Sequence, residues 1–195
     1  MGDYELIAIG SSWGGLKALG RVLDTLPDEV EMPVVIAQHR SPDAIDGGLR
    51  DLLARHTTRI VRDAEDKDPL ESYHVYLAPP DYHLLVERGR LALSLDEAVQ
   101  FARPSIDVLF ESVADAYREQ AIGIILTGAN EDGAAGLARI KARGGVAIVQ
   151  EPATSERRAM PDAALKAAAA DAVLTLEEIG PFLYGLCCSG AEVHA

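Results

Sequence analysis

Apolar residues fall into two kinds of run along this chain. Short continuous stretches, Leu6-Ile7-Ala8-Ile9, Val34-Val35-Ile36-Ala37, Ile124-Ile125-Leu126 and Val146-Ala147-Ile148-Val149, have the length and branching of strands buried on both faces. Between them apolar positions recur every three or four residues. Leu16, Leu19, Val22, Leu23 and Leu26 do so until Pro27 ends the pattern, and Leu49, Leu52 and Leu53 mark a second helix. Ser105 stands as the N-cap of a third helix carrying Ile106, Leu109, Phe110 and Val113 on one face. Further elements follow in alternation: a strand at Ile122–Leu126, a helix from about Gly133 to Arg143, a strand at Val146–Gln150 and a helix around Ala163–Ala169. A strand near Ala172–Leu174 and a last helix from about Leu176 complete the series.

The middle has a different texture. Segments near Arg59–Val61, Val75–Leu77, Leu84–Glu87 and Leu91–Leu95 are separated by Pro79-Pro80-Asp81 and Glu87-Arg88-Gly89, which predicts short strands joined by tight turns and an antiparallel hairpin over 82–95. The alternation on either side predicts the fold class: α/β, doubly wound, a mostly parallel sheet with helices on both faces and that hairpin beside it. All 195 residues are expected to form one domain, with its core over about 5–186 and a short C-terminal tail.

Composition narrows the function. With 18 basic against 31 acidic residues the net charge is −13, and no Lys/Arg cluster appears, which argues against nucleic acid as a partner. No stretch approaches the roughly 20 apolar residues of a membrane span. The N-terminus carries acids where a secretory signal has a basic region, and Met1-Gly2 is followed by Leu6 where an N-myristoylation signal has Ser or Thr. The expectation is a cytoplasmic protein that is not membrane-embedded. Cys187 and Cys188 are sequence neighbours, unsuited to a mutual disulfide, and neither has metal-type spacing to other ligands; both are expected to pack as free thiols.

In a doubly wound sheet, reactive groups gather past the carboxyl ends of strands. Past the first strand comes Gly10-Ser11-Ser12-Trp13-Gly14-Gly15, a glycine-bracketed turn that exposes the Ser12 hydroxyl and opens a helix whose free N–H groups suit an oxyanion. Past the second comes Gln38-His39. Past Ile124-Ile125-Leu126 comes Thr127-Gly128-Ala129-Asn130-Glu131-Asp132-Gly133. A serine, a histidine and an aspartate from three strand ends are the parts of an acyl-transfer triad: nucleophile, proton carrier and the carboxylate that orients it. Their order, Ser-His-Asp, differs from the Ser-Asp-His order of the α/β-hydrolases despite the Gly10-x-Ser12-x-Gly14 match.

These residues resemble the catalytic domain of the chemotaxis protein-glutamate methylesterases, the CheB-type family, from about Leu6 to about Leu186. The resemblance is carried by the Ile9–Gly15 turn, Gln38-His39, Tyr76-Leu77-Ala78-Pro79 with His83, Arg103-Pro104-Ser105-Ile106-Asp107-Val108-Leu109-Phe110, Ile125-Leu126-Thr127-Gly128 with Asp132-Gly133-Ala134-Ala135-Gly136, and Met160-Pro161. It implies catalytic roles for Ser12, His39 and Asp132, no cofactor and no metal. It also implies hydrolysis of glutamyl methyl esters to glutamate and methanol, with deamidation of glutamines in some members, on the cytoplasmic helices of chemoreceptors. Trp13, Gly14, Ala129, Asn130, His83, Arg103 and Met160 are the expected oxyanion and substrate-lining residues. The chain departs from the family at Ala129-Asn130, where Met-Gly is common, and at Trp13, where a small residue is common. Many members carry a phospho-accepting receiver domain ahead of the catalytic one; these residues hold none, which leaves a separate receiver protein as a candidate regulator.

Plainer roles stand beside these. Ser12 taken alone reads as a turn residue or helix cap. Asp107, in the first turn of its helix, reads as a dipole partner, and Glu131 as solvent-facing. His83 is as well placed for the surface as for the lining, His56 and His74 read as exposed element ends and His194 as tail. A catalytically impaired receptor-binding module of the same fold is the alternative function. A nucleotide-binding domain ranks last, because Gly14-Gly15 lacks both the Gly-x-Gly-x-x-Gly spacing and a P-loop lysine.

Overall fold

A computed structural model describes residues 4–40 and 48–188; Met1-Gly2 and His194 lie outside them. The four apolar runs become the centre of a seven-stranded parallel sheet. Its strands are β1 (Leu6–Ser11), β2 (Val34–Gln38), β3 (Ile60–Asp63), β4 (His74–Leu77), β7 (Ala121–Ile125), β8 (Val146–Gln150) and β9 (Ala172–Leu174), in the spatial order β3-β4-β2-β1-β7-β8-β9. The chain first winds outward from β1 through β2 and later returns to add β7 on the other side of β1. The topological switch point therefore lies at the carboxyl ends of β1 and β7, where ligands bind in sheets of this kind. The antiparallel pair, β5 (His83–Glu87) with β6 (Arg90–Ser94), matches the expected hairpin and forms a separate two-stranded sheet.

Two of the short middle segments have a different fate. β3 and β4 join the main sheet in parallel, Val75 and Tyr76 pairing with Val34 and Val35 of β2. Their short runs resemble those of the hairpin in length, but β4 has Val75, Tyr76 and Leu77 buried and so belongs inside a covered layer.

Helices cover both faces. α1 (Gly15–Thr25) packs with α6 (Leu176–Cys188) on one face, and α2 (Gly48–Leu53) lies beside α1. On the other face α3 (Ile106–Tyr117), α4 (Ala134–Ala142) and α5 (Ala159–Ala167) pack in series, with α3 also covering the hairpin. α5 begins four residues before the expected Ala163, because Pro161 sits in its first turn, where no intrahelical N–H is required. Buried residues divide into two clusters, one on each side of the sheet. Cys187 and Cys188 are half-buried free thiols against the α1 side, and burial, with the neighbouring Cys188 adding to it, pushes the Cys187 thiol up to about 11. Among the described residues no helix is long and apolar enough to cross a membrane.

Candidate active site

The first turn of α3 is seated directly behind the end of β1. A methyl group on Gly10 or on Gly133 would collide with the Ile106 side chain, and Gly133 has φ +94, a left-handed conformation that suits glycine. Those two positions let the helix terminus, the β1 end and the Asp132 loop close on one another.

Ser12 follows β1 immediately. Its N–H donates to the Thr127 carbonyl at 3.0 Å, which ties the turn to the loop after β7, and its own carbonyl accepts from Gly15 N at 2.8 Å. His39 follows β2 at the corresponding position, since Ser11 and Gln38 are register partners, and its N–H donates to the Ser11 carbonyl at 3.1 Å. Gln38 fastens the two ends together. Its amide Nε2 donates to the Ser12 carbonyl and to the His39 carbonyl, both at 2.9 Å, while Oε1 accepts from Ser11 Oγ at 2.6 Å. Sequence reasoning missed this residue; the signal was a polar side chain closing an otherwise apolar strand.

Asp132 is fully buried and saturated with donors. Oδ2 lies 2.7 Å from His39 Nε2 and accepts from Ile106 N at 2.7 Å. Oδ1 accepts from Ser105 Oγ and Asp107 N, both at 2.9 Å. The carboxylate thus occupies the N-terminal anion site of α3. Burial alone would raise its pKa. The His39 hydrogen bond and the two amides outweigh that, and the net direction is downward, so Asp132 is a carboxylate at neutral pH. With an acceptor on Nε2, the ring carries its proton there and Nδ1 is left as the basic nitrogen. No hydrogen bond joins the Ser12 hydroxyl to His39; the side chain must turn toward Nδ1 to engage it, as is common before substrate binds.

Ser105 is the N-cap expected of it, accepting from Val108 N at 3.4 Å while donating to Asp132. His83 is buried, not lining: its Nδ1 accepts from Ser105 N at 3.2 Å and its Nε2 donates to the Glu97 carbonyl at 3.1 Å, which supports the residue that holds Asp132. Met160 is likewise buried, packed against Gly128 beneath the loop after β7, with its N–H on the Gly128 carbonyl. Arg103 has its carboxylate partner within the chain, Asp81 at 2.6 Å, and also donates to the Leu95 and Asp96 carbonyls. This satisfied guanidinium fastens the connection between the hairpin and α3. Asp107 is buried too, but it accepts from Gly136 N of α4 at 2.7 Å, so it serves the neighbouring helix and not its own. Glu131 is exposed; His56 is exposed and His74 half-buried.

Trp13 is 59% exposed, with its indole N–H on Glu156 Oε1 at 2.9 Å and the Arg157 guanidinium 5.4 Å from the ring centre. A cavity of 480 Å³ opens beside His39, with Asn130, Arg103 and Phe101 among its walls; Ser12 lies outside that lining, half-buried on the Trp13 side. Gly14 borders a different cavity near Lys17, and Ala129 a groove next to Asn130. Among the described residues no cluster of His, Cys, Asp or Glu has the makings of a metal site.

A doubly wound domain that presents a turn serine and a half-buried histidine hydrogen-bonded to a buried carboxylate at its switch point falls in the class of α/β domains equipped for acyl transfer. Comparison with known proteins makes this specific. The chain belongs to the CheB methylesterase family, which it matches over residues 7–183. A protein of Leptospira interrogans that carries the name of both activities, protein-glutamate methylesterase and protein-glutamine glutaminase, is 46% identical over 178 residues, covering 91% of this chain and 92% of that one. A protein-glutamate methylesterase/protein-glutamine glutaminase of Maricaulis maris is 38% identical over 185 residues, 91% of this chain but 45% of its own length. The crystal structure of the Thermotoga maritima CheB methylesterase catalytic domain superposes with a TM-score of 0.88 at 30% identity, covering 94% of this chain and 98% of that one. The chain is therefore an enzyme of the protein-glutamate methylesterase kind, a carboxylic ester hydrolase.

Proposed function

We propose that the chain hydrolyses γ-glutamyl methyl esters on the cytoplasmic helices of chemoreceptors through a Ser12-His39-Asp132 triad. The observation that carries this reading is the 2.7 Å contact between His39 Nε2 and Asp132, made one residue past a strand whose neighbour ends immediately before Ser12. Ser12 Oγ attacks the ester carbonyl carbon while its proton passes to His39 Nδ1. Asp132, anionic and held by the α3 terminus, stabilises the imidazolium through Nε2–H. The tetrahedral intermediate collapses with departure of methoxide, which takes the Nδ1 proton and leaves as methanol. Water then attacks the Ser12 acyl-enzyme and gives one proton to Nδ1; the collapse returns that proton to Ser12 Oγ and frees the glutamic acid side chain, which gives its remaining proton to solvent to become glutamate. A glutamine side chain follows the same course with ammonia as the leaving group.

The developing oxyanion needs N–H donors. Among the described residues the backbone N–H groups of Trp13, Gly14, Ala129 and Asn130 are not taken by other acceptors. The Trp13 amide, next after the nucleophile, has the position such a donor takes in strand-to-helix elbows. On this reading Trp13 contributes through its backbone, and the indole, engaged by Glu156 and Arg157, stands at the edge of the site. The experiment is methanol release from a methylated receptor cytoplasmic fragment. Ser12→Ala is expected to lower kcat on the order of 10⁶-fold, and an unchanged rate removes Ser12 from the mechanism.

A further inference from the structure

The chain has three phenylalanines, and they are used differently. Phe110, in α3, is fully buried in the core and Phe182, in α6, is partly buried against it, whereas Phe101 has its whole surface in solvent, at 105% relative exposure. Its backbone is equally unusual. Val99 and Ala102 exchange two hydrogen bonds, Val99 N to Ala102 O at 3.1 Å and Ala102 N to Val99 O at 2.9 Å, closing a tight turn on Gln100 and Phe101. Both central residues have positive φ, +49 and +62. That is the mirror-image turn for which Asn-Gly is favoured, and a bulky aromatic residue adopts it only under strain.

The strain is held by a specific anchor. Gln100 Nε2 donates to Asp107 Oδ2 at 2.9 Å, and Asp107 belongs to the same first turn of α3 whose amides hold Asp132. The tip that carries Phe101 and the carboxylate that orients His39 are thus fixed to one helix terminus. Phe101 and Gln100 border both the cavity beside His39 and the 920 Å³ groove that runs past Asn130 between α4 and α5. A ring that contributes nothing to the core, is strained in place and is registered to the site has the properties of a contact for something outside the chain. Its side chain has two torsions, so little freedom is lost when it is covered.

We propose that Phe101 is a specificity residue that docks the protein substrate, its ring seating against an apolar side chain beside the glutamyl group undergoing hydrolysis. The inference rests on the protein-glutamate methylesterase reading. A glutamyl group borne on a protein brings the surrounding surface of that protein against the rim of the cavity, and Phe101 is the most exposed large apolar residue at that rim.

The test compares the parent, Phe101→Ala and Phe101→Leu on a methylated receptor cytoplasmic fragment, with KM and kcat read separately. Phe101→Ala is expected to raise KM at least 10-fold with kcat within 3-fold, and Phe101→Leu to recover at least half of that loss on a logarithmic scale. In parallel, binding of the same fragment is measured in the Ser12→Ala background with and without Phe101→Ala, and Kd is expected to rise by the same factor. An unchanged KM and Kd, or a loss confined to kcat, overturns the docking role. If the parent releases no methanol, the functional reading fails on its own, and the Kd comparison still decides whether Phe101 docks the fragment.

Discussion

Asp132 and Asp107 lie in one buried knot and cap each other's helices. Asp132 precedes α4 yet accepts from the amides of Ile106 and Asp107 in α3; Asp107 belongs to α3 yet accepts from the amide of Gly136 in α4. They are almost equally buried, at 0% and 5% exposure, and their pKa values move in opposite directions. For Asp107 burial is the largest effect, raising it to about 6 against the amide of Gly136, with the negative charge of Asp132 adding to the rise. For Asp132 burial pulls the same way and loses to His39 and two amides. What separates a carboxylate fit to orient an imidazole from a structural clasp is thus the set of donors facing it, not the depth at which it lies.

The sharpest way to break this comparison is to neutralise each carboxylate in turn. Asp132→Asn is expected to reduce kcat by about 10⁴-fold, the loss seen when a triad carboxylate becomes an amide and the wrong tautomer is favoured. Asp107→Asn is expected to keep kcat within about 3-fold, because Asn can still accept from Gly136 N and the Gln100 amide can turn over to match it. Equal losses from both, measured as methanol release, would erase the distinction.

The second largest effect tests how the proton carrier is aimed. Gln38→Ala removes the link between the Ser12 and His39 carbonyls without touching either aspartate, and kcat is expected to fall about 10- to 100-fold, the scale of a misplacement near 1 Å.

The third concerns pH and stability. Asp107, raised in the folded state from 3.8 to about 6, contributes stability that is fully present below about pH 4 and is lost as pH rises through about 6. Asp132, lowered, contributes stability present above its unfolded pKa and lost as pH falls through its folded one. Denaturant melts at pH 4 and pH 8 should therefore show Asp107→Asn gaining on the parent by about 2–3 kcal/mol as pH rises. Asp132→Asn should hold a nearly constant difference from the parent over the same range, because the window in which the lowered Asp132 changes its contribution lies below 3.8. A pH-independent difference for Asp107→Asn would mean that its carboxyl titrates normally. The smallest effect is expected from Ser105→Ala, which removes a cap and one of four donors to Asp132. A loss of about 1 kcal/mol of stability is expected by the same melts.

Much of this arrangement is legible in the chain. The continuous apolar runs announce the parallel strands, the three-and-four spacing announces helices, and the residues just past each run, Ser12, His39 and Asp132, are those the fold brings to its switch point. The Ser105 cap is visible because the residue type is suited to a helix start. Other features have no local signature. β3 and β4 read only as short strands, because a four-residue run does not say which sheet it will pair with. That Arg103 is already paired has no local sign because its partner, Asp81, stands 22 positions away, and the burial of His83 and Met160 depends on what packs above them.

The sequence by itself determined the order of elements and the strand ends past which Ser12, His39 and Asp132 stand, since periodicity and residue type are local properties of the chain. Only the tertiary structure decided which nitrogen of His39 meets Asp132, that Gln38 ties two strand ends together, that the two aspartates exchange helices, and that Phe101 is left in solvent on a strained tip. Those are set by contacts between residues tens of positions apart, where donors, burial and charge combine only after the sheet has brought the strand ends together.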